Sequence, residues 1–181
     1  MAVLGLGLPP AAFGAANLPP SAASASLLGH RIAVVAVAEA RNKSRNHEYG
    51  TNCNYYSGAL QVSPRCANGW RRAAWCADFA RWTWRRAGAN AGGLSAWAIS
   101  FYTYGVRHRT WRGGAALAGA RPGDVIGYRF GGTTSDDHVG VIIAVRPTLV
   151  VTVDGNSGDR TRFRTVPRYS RGVSGYTRPV R

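Results

Sequence analysis

The sequence predicts an α+β fold in which N-terminal helices pack on a mainly antiparallel β-sheet. Two observations lead to this prediction. The first half of the chain contains segments with a helical spacing of apolar residues, and the second half contains short apolar runs separated by tight turns. Helices followed by strands, without regular alternation, are typical of α+β proteins. A chain of 181 residues with 45% hydrophobic residues is long enough for one domain with a buried core, so wholesale disorder is excluded.

Three segments of the first half have the helical pattern. The first spans His30–Arg45 and includes the run IAVVAVAEA, which has few helix breakers. The second spans Trp70–Ala87 and ends at Gly88, a residue type that commonly stops helices. A shorter third helix is predicted around 96–104. The second helix carries a stripe at helical spacing formed by Trp75, Phe79, Trp82 and Arg86.

After about residue 120 the pattern changes to short strands. The run HVGVIIAV at His138–Val145 is apolar on both faces, which predicts a buried strand. A second strand is predicted at Leu149–Asp154, and another at Val125–Phe130 before the first. Edge strands are predicted at Arg162–Val166 and Val173–Tyr176. We find no internal repeat and no second domain.

Residues 1–27 are predicted to be a leader, and residues 28–181 a single domain. The stretch from Met1 to Ala25 is apolar, rich in small residues, and ends in Ala23-Ser24-Ala25, which resembles a signal-peptide cleavage site. It lacks a basic beginning, and two Pro-Pro pairs interrupt it. The two interpretations are therefore a signal peptide and a disordered tail. No uninterrupted apolar run of about 18 residues occurs, so no membrane span is expected.

The three cysteines lie in two different contexts. Cys53 and Cys66 flank a loop rich in Asn, Tyr, Ser, Gly and Pro, whereas Cys76 lies in an aromatic segment with helical spacing. We therefore predict that Cys53 and Cys66 form a disulfide and that Cys76 is free. A disulfide implies an oxidising compartment and hence export. The alternative is three unrelated reduced cysteines.

The chain is strongly basic, with a formal net charge of +15, and its basic residues are 22 Arg and a single Lys. Such a surface attracts polyanions, and anionic cell-wall polymers, nucleic acid and acidic lipid are the candidates. No zinc-ligand set, RNA-binding aromatic signature or heptad repeat is present, so no specific nucleic-acid partner is expected. The alternative is a solvated arginine-rich surface without a specific ligand.

Three short segments carry side chains suited to nucleophilic catalysis. Cys76 lies near the start of a predicted helix, where unpaired backbone N–H groups stabilise a thiolate. His138 begins a buried strand beside a polar turn, and Asp154 ends the next strand. If these two strands form a hairpin, the imidazole and the carboxylate lie at the same end of the sheet. A thiol, an imidazole and an orienting carboxylate form a nucleophile–base–orienter set. Taken singly, each residue is more simply explained as core packing or a turn.

At these positions the sequence resembles the CHAP (cysteine, histidine-dependent amidohydrolase/peptidase) family. The matching segments are Trp75-Cys76-Ala77-Asp78-Phe79, Pro122-Gly123-Asp124-Val125, Asp137-His138-Val139-Gly140-Val141 and Asp154-Gly155-Asn156. Their order and spacing match over nearly the whole chain outside the leader.

This resemblance implies a papain-like fold, similar to that of NlpC/P60 proteins, and cleavage of amide bonds in peptidoglycan. It implies that Cys76 is the nucleophile and His138 the base, with Asp154 where the family often has Glu and Asn156 where it often has Asn. No Gln near Cys76 is available as an oxyanion donor. We expect no cofactor and no metal, a monomer, secretion to the cell wall, and peptidoglycan as the partner, with anionic wall polymers as further candidates.

Other functions remain open at this point. An NlpC/P60-type endopeptidase has the same order of Cys and His. A non-catalytic module that binds cell wall or polyanions on the same fold is the main alternative from a different class. A basic nucleic-acid-binding protein and a transglutaminase-like use of the thiol are further alternatives.

Overall fold

The computed structural model describes residues 20–57, 66, 72–132 and 134–181. Within these residues, three helices precede a sheet of six strands, so the predicted α+β class is confirmed. The helices are α1 (Pro20–Arg41), α2 (Cys76–Ala87) and α3 (Ile99–Arg107). The strands are β1 (Trp111–Gly113), β2 (Val125–Tyr128), β3 (His138–Val145), β4 (Leu149–Asp154), β5 (Arg162–Pro167) and β6 (Val173–Thr177).

The six strands form one sheet in the order β1-β6-β2-β3-β4-β5, and all neighbouring strands are antiparallel. The bounds of β3 and β4 are those that the sequence predicts. The prediction that Val173–Tyr176 is an edge strand is wrong, because β6 lies between β1 and β2. No pattern in the sequence predicts β1, because a strand of three residues is too short to show an alternation.

Helix α1 begins and ends earlier than the predicted span His30–Arg45. It starts at Pro20, so residues 20–27, which we predicted as part of the leader, lie within the helix. Residues 1–19 of the predicted leader lie outside the described residues. A proline is tolerated in the first turn of a helix, because the N–H that it lacks has no partner there. The Ala- and Ser-rich run after it continues the helix to Arg41.

Helix α2 begins at Cys76, not at Trp70 as predicted. The first two residues of the predicted helix lie outside the described residues, and Trp75 has non-helical dihedral angles, with φ −130° and ψ 19°. The indole of Trp75 is held by stacking on Tyr56, at 5.6 Å between ring centroids. The predicted stop at Gly88 is confirmed, because Gly88 adopts the left-handed conformation with φ 88°.

The buried side of α2 differs in part from the predicted stripe. Phe79 is fully buried, but Arg86 is exposed, and Trp84 is buried in its place. The indole N–H of Trp84 donates to the carbonyl of Gly123 at 3.0 Å, which ties α2 to the turn before β2. Burying an aromatic side chain of this size contributes roughly 2–3 kcal/mol to folding. These contacts fix the position of α2 on the sheet.

Alternate residues of the central strands pack on opposite faces of the sheet. Val139, Val141 and Val153 belong to the core that faces the helices. Ile126 and Ile142 belong to a second core on the other face. A strand buried on both faces is apolar at every position, which explains the continuous apolar run of β3.

Cys53 and Cys66 form the predicted disulfide, and Cys76 is a free, buried thiol. The two bonded residues are separated by 13 positions in the chain. None of the described helices is long and apolar enough to cross a membrane.

Candidate active site

Cys76 is the first residue of α2, and its side chain lies at the end of the helix where backbone N–H groups lack helical partners. Trp75 precedes the helix and makes no side-chain capping bond to these groups. Instead, the Trp75 indole N–H donates to Glu48 Oε1 at 2.7 Å. The positive end of α2 therefore lies at Cys76, and the side chain of Trp75 does not cap it, although the first turn also contains the acid Asp78.

His138 is the first residue of β3, and its backbone partner in the sheet is Tyr128 of β2. Its imidazole lies 5.6 Å from the ring of Tyr128 and 5.9 Å from the ring of Phe130, measured between ring centroids. The side chain is 14% exposed. The imidazole is therefore held by rigid neighbours and still borders solvent.

Asp154 ends β4, and its carboxylate is fully buried beside the imidazole. Asp154 Oδ2 lies 3.1 Å from His138 Nε2. Its other oxygen, Oδ1, accepts a hydrogen bond from the Thr152 hydroxyl at 2.6 Å. The side chain has room because Gly140 lies against it, and a Cβ at Gly140 would collide with the carboxylate. The hairpin of β3 and β4 thus brings the two predicted residues together.

The pKa of His138 is raised to about 9. Burial acts in the opposite direction, because it disfavours the charged imidazolium, but hydrogen bonds with Asp154 and Cys76 and the charges of both groups outweigh it. Since Nε2 faces Asp154, Nδ1 is the nitrogen left for the sulfur of Cys76. The imidazole of His138 therefore interacts with a carboxylate and with a thiol.

A comparison with family models matches the CHAP domain over residues 66–156. The match covers half of the chain. This chain belongs to the CHAP domain family. No curated protein and no solved structure matches it. Membership indicates amidase, peptidase or peptidoglycan hydrolase activity in general, and it implies a cell-wall substrate. The papain-like architecture expected from the resemblance fits the observed CHAP fold.

All four predicted catalytic residues of this CHAP domain lie inside the matched range, but one of them makes no hydrogen bond to the imidazole. Asn156 follows β4 in a turn, with a φ of 53°. It lines an open groove of about 360 Å³, which we call the His138 groove, and within the described part of the chain it makes no hydrogen bond to His138. The groove is lined by Phe130, Asp137, His138, Asn156, Ser157 and Arg164. Asp154, not Asn156, is the partner of the imidazole.

Sequence reasoning missed several residues around the imidazole of the CHAP domain. Thr152 lies two positions before Asp154 and shares its face of β4, so the alternation of the strand was a usable signal. Arg164 lies on β5 and Phe130 lies in the turn after β2, and no local pattern marked them. Among the described residues, no group of three or more His, Cys, Asp or Glu side chains is arranged to hold a metal ion.

Proposed function

We propose that this protein cleaves amide bonds of peptidoglycan by covalent catalysis, with Cys76 as the nucleophile. His138 is the general acid and base, and Asp154 orients the imidazole. The observation that carries the proposal is the pairing of His138 Nε2 with buried Asp154 at 3.1 Å, while the same imidazole interacts with Cys76. Family membership supports the reaction class, and the geometry supports the assignment of roles.

The first half of the reaction forms a thioester. A pKa of about 9 means that His138 carries a proton at neutral pH. The thiolate is the nucleophilic form of a cysteine, and Cys76 reacts in this form. The thiolate attacks the amide carbonyl carbon and forms a C–S bond, and negative charge develops on the carbonyl oxygen. His138 then donates its proton to the leaving nitrogen as the C–N bond breaks.

The second half of the reaction releases the acyl group. Neutral His138 takes a proton from water, and the resulting hydroxide attacks the thioester carbonyl. The C–S bond breaks, the carboxylic acid leaves, and the thiolate and imidazolium return. Throughout this cycle, Asp154 holds the imidazole with Nδ1 facing the sulfur and stabilises its positive charge.

The start of α2 supplies one donor for the oxyanion. The backbone N–H of Cys76 is the first of the helix and has no helical acceptor, and the side chain of Trp75 does not cap this end of α2. This N–H lies on the nucleophilic residue itself, so it is close to the carbonyl oxygen once the C–S bond forms.

Export supports access to this substrate. The Cys53–Cys66 disulfide is typical of proteins from oxidising compartments, and residues 1–27 have the apolar, small-residue composition of a leader. We therefore propose that the protein acts outside the cell, at the wall.

The test is digestion of purified peptidoglycan by wild type and by Cys76→Ala, with mass spectrometry of the released muropeptides. We expect wild type to release fragments with new amine and carboxyl ends, and Cys76→Ala to release none while its circular dichroism spectrum is unchanged. Asp159→Asn, which alters an exposed turn, is the matched control and should digest like wild type. Undiminished release by Cys76→Ala would refute the proposal. Binding to walls by wild type without release would favour the non-catalytic module.

A further inference from the structure

Arg164 lies in the His138 groove but belongs to a different element of the fold from the three proposed catalytic residues. It is on β5, where it pairs with Thr152 of β4. Directly paired residues of neighbouring strands share a face of the sheet, so Arg164 projects on the same face as Thr152 and Asp154. It lines the groove together with His138 and Asn156.

Two aromatic rings contact the Arg164 guanidinium. Its Cζ lies 5.3 Å from the ring centroid of Tyr128 and 5.0 Å from that of Phe130, and these two rings stack on each other at 4.9 Å. Cation–π contact of this kind occupies the flat face of a guanidinium and leaves its N–H edge available. The Arg164 side chain is 36% exposed, so part of it is accessible to a ligand.

The neighbouring carboxylate leaves most of the Arg164 donors unused. Arg164 Nη1 lies 3.6 Å from Asp154 Oδ2, which is longer than the 2.7–2.9 Å typical of a charge-assisted hydrogen bond. Both oxygens of Asp154 already have closer partners, His138 and Thr152. A guanidinium has five N–H donors, and within the described part of the chain none of those of Arg164 makes a hydrogen bond.

Asp137, the acid that lines the groove, also has hydrogen-bond partners. The carboxylate of Asp137 accepts hydrogen bonds from the backbone N–H of Phe130 at 3.0 Å and of Gly131 at 2.7 Å. These bonds hold the turn that carries Phe130 beside the imidazole. The groove therefore presents a partly exposed cation, and the two acids that line or border it have closer partners than Arg164.

We propose that Arg164 is a specificity-determining residue that binds a carboxylate of the peptide substrate next to the scissile amide. This inference rests on the proposed function and adds a substrate class to it, namely stem peptides with a free carboxylate near the bond that is cut. A carboxylate matches the planar fork of a guanidinium in a bidentate manner, whereas a neutral carboxamide does not.

The experiment compares stem peptides in which each carboxylate in turn is replaced by the carboxamide. Wild type should hydrolyse one carboxylate peptide about 10-fold more efficiently than its carboxamide partner, mainly through a lower KM, as expected for loss of one charge-assisted contact. Arg164→Gln should remove this preference, and Arg164→Lys should keep part of it. Arg146→Gln, which removes an exposed arginine at the opposite end of the β3–β4 hairpin, should keep all of it.

A binding measurement separates this inference from the proposed chemistry. In the Cys76→Ala background, titration calorimetry with the same peptide pairs should give a carboxylate preference that disappears on addition of Arg164→Gln. Tighter binding of the carboxylate peptide supports the inference even if wild type hydrolyses neither peptide. The lack of hydrolysis would in that case contradict only the proposed function. The inference would be overturned if Arg164→Gln lost the same binding affinity for the carboxylate and the carboxamide member of every pair. It would also be overturned if wild type showed no preference between them.

Discussion

Gly140 lies against the carboxylate of Asp154, one residue beyond the paired Val141 and Val153 of the β3–β4 hairpin. Because Gly140 has no side chain, there is space for the Asp154 carboxylate to reach His138. The fit of the imidazole and its partner therefore depends on a residue that takes no part in the proposed chemistry.

Replacing Gly140 by Ala should lower kcat/KM about 100-fold, because the new Cβ collides with the carboxylate and displaces it from His138 Nε2. A displacement of about 1 Å at a catalytic group has an effect of this order. The measurement is steady-state kinetics on a soluble muropeptide. Gly113→Ala is the control, since a Cβ there meets only an ordinary contact, the Trp111 Nε1 atom at 3.4 Å. Equal activity of Gly140→Ala and wild type would contradict this account.

Asp154→Asn should shift the alkaline limb of the pH–rate profile to lower pH by at least about one unit. Asp154 and Cys76 together raise the pKa of His138 to about 9, and the neutral amide removes the contribution of Asp154. In the proposed mechanism His138 donates a proton to the leaving amine, so the rate falls as pH passes the pKa. Profiles of kcat/KM between pH 6 and 10 test this, with Asp159→Asn as control. An unshifted limb would count against His138 as the acid.

The same group affects stability with a defined sign. The pKa of His138 is raised above the ordinary value of 6.5, so its protonation stabilises the folded state fully below about pH 6.5. This contribution is lost as pH rises through about 9. The free energy of unfolding of wild type should therefore fall towards that of Asp154→Asn over this interval, which urea titrations at several pH values measure.

Removing the disulfide should destabilise the domain by about 3 kcal/mol, because the reduced unfolded chain regains the freedom of a closed loop. Cys53 and Cys66 are 13 positions apart. The double variant Cys53→Ser and Cys66→Ser is best made in the Cys76→Ala background, so that the free thiol does not exchange with the bridge. Denaturant midpoints are then compared with those of Cys76→Ala alone. Identical midpoints would show that the bridge is energetically unimportant.

The β3–β4 hairpin is predictable from the sequence because its strands have strong local patterns. The run HVGVIIAV is apolar on both faces, and Arg146-Pro147 marks the turn to β4, so both strands were predicted with their observed bounds. Hairpin pairing then brings His138 and Asp154 to the same end. This part of the site required only local pattern and one short connection.

Other parts depend on contacts between segments that are distant in the chain. Trp75 fits a helical stripe, yet its stacking on Tyr56 and its bond to Glu48 hold it outside the helix, so the observed helix starts at Cys76. Arg164 reaches the groove through the register of β4 and β5 and through two rings from the β2 end. The spacing of residues within a single segment cannot predict contacts between distant segments.

Gly155, directly after Asp154, packs against Phe79 and Trp75 so closely that a Cβ would overlap them. The helical layer and the sheet thus meet at this point without any intervening methyl group. The sulfur of Cys76 belongs to the helical layer, and the imidazole of His138 belongs to the sheet. The distance between them therefore depends on how closely the two layers pack. Mild heat or a cosolvent that loosens the packing between the helices and the sheet would inactivate the enzyme while most of its secondary structure is still intact.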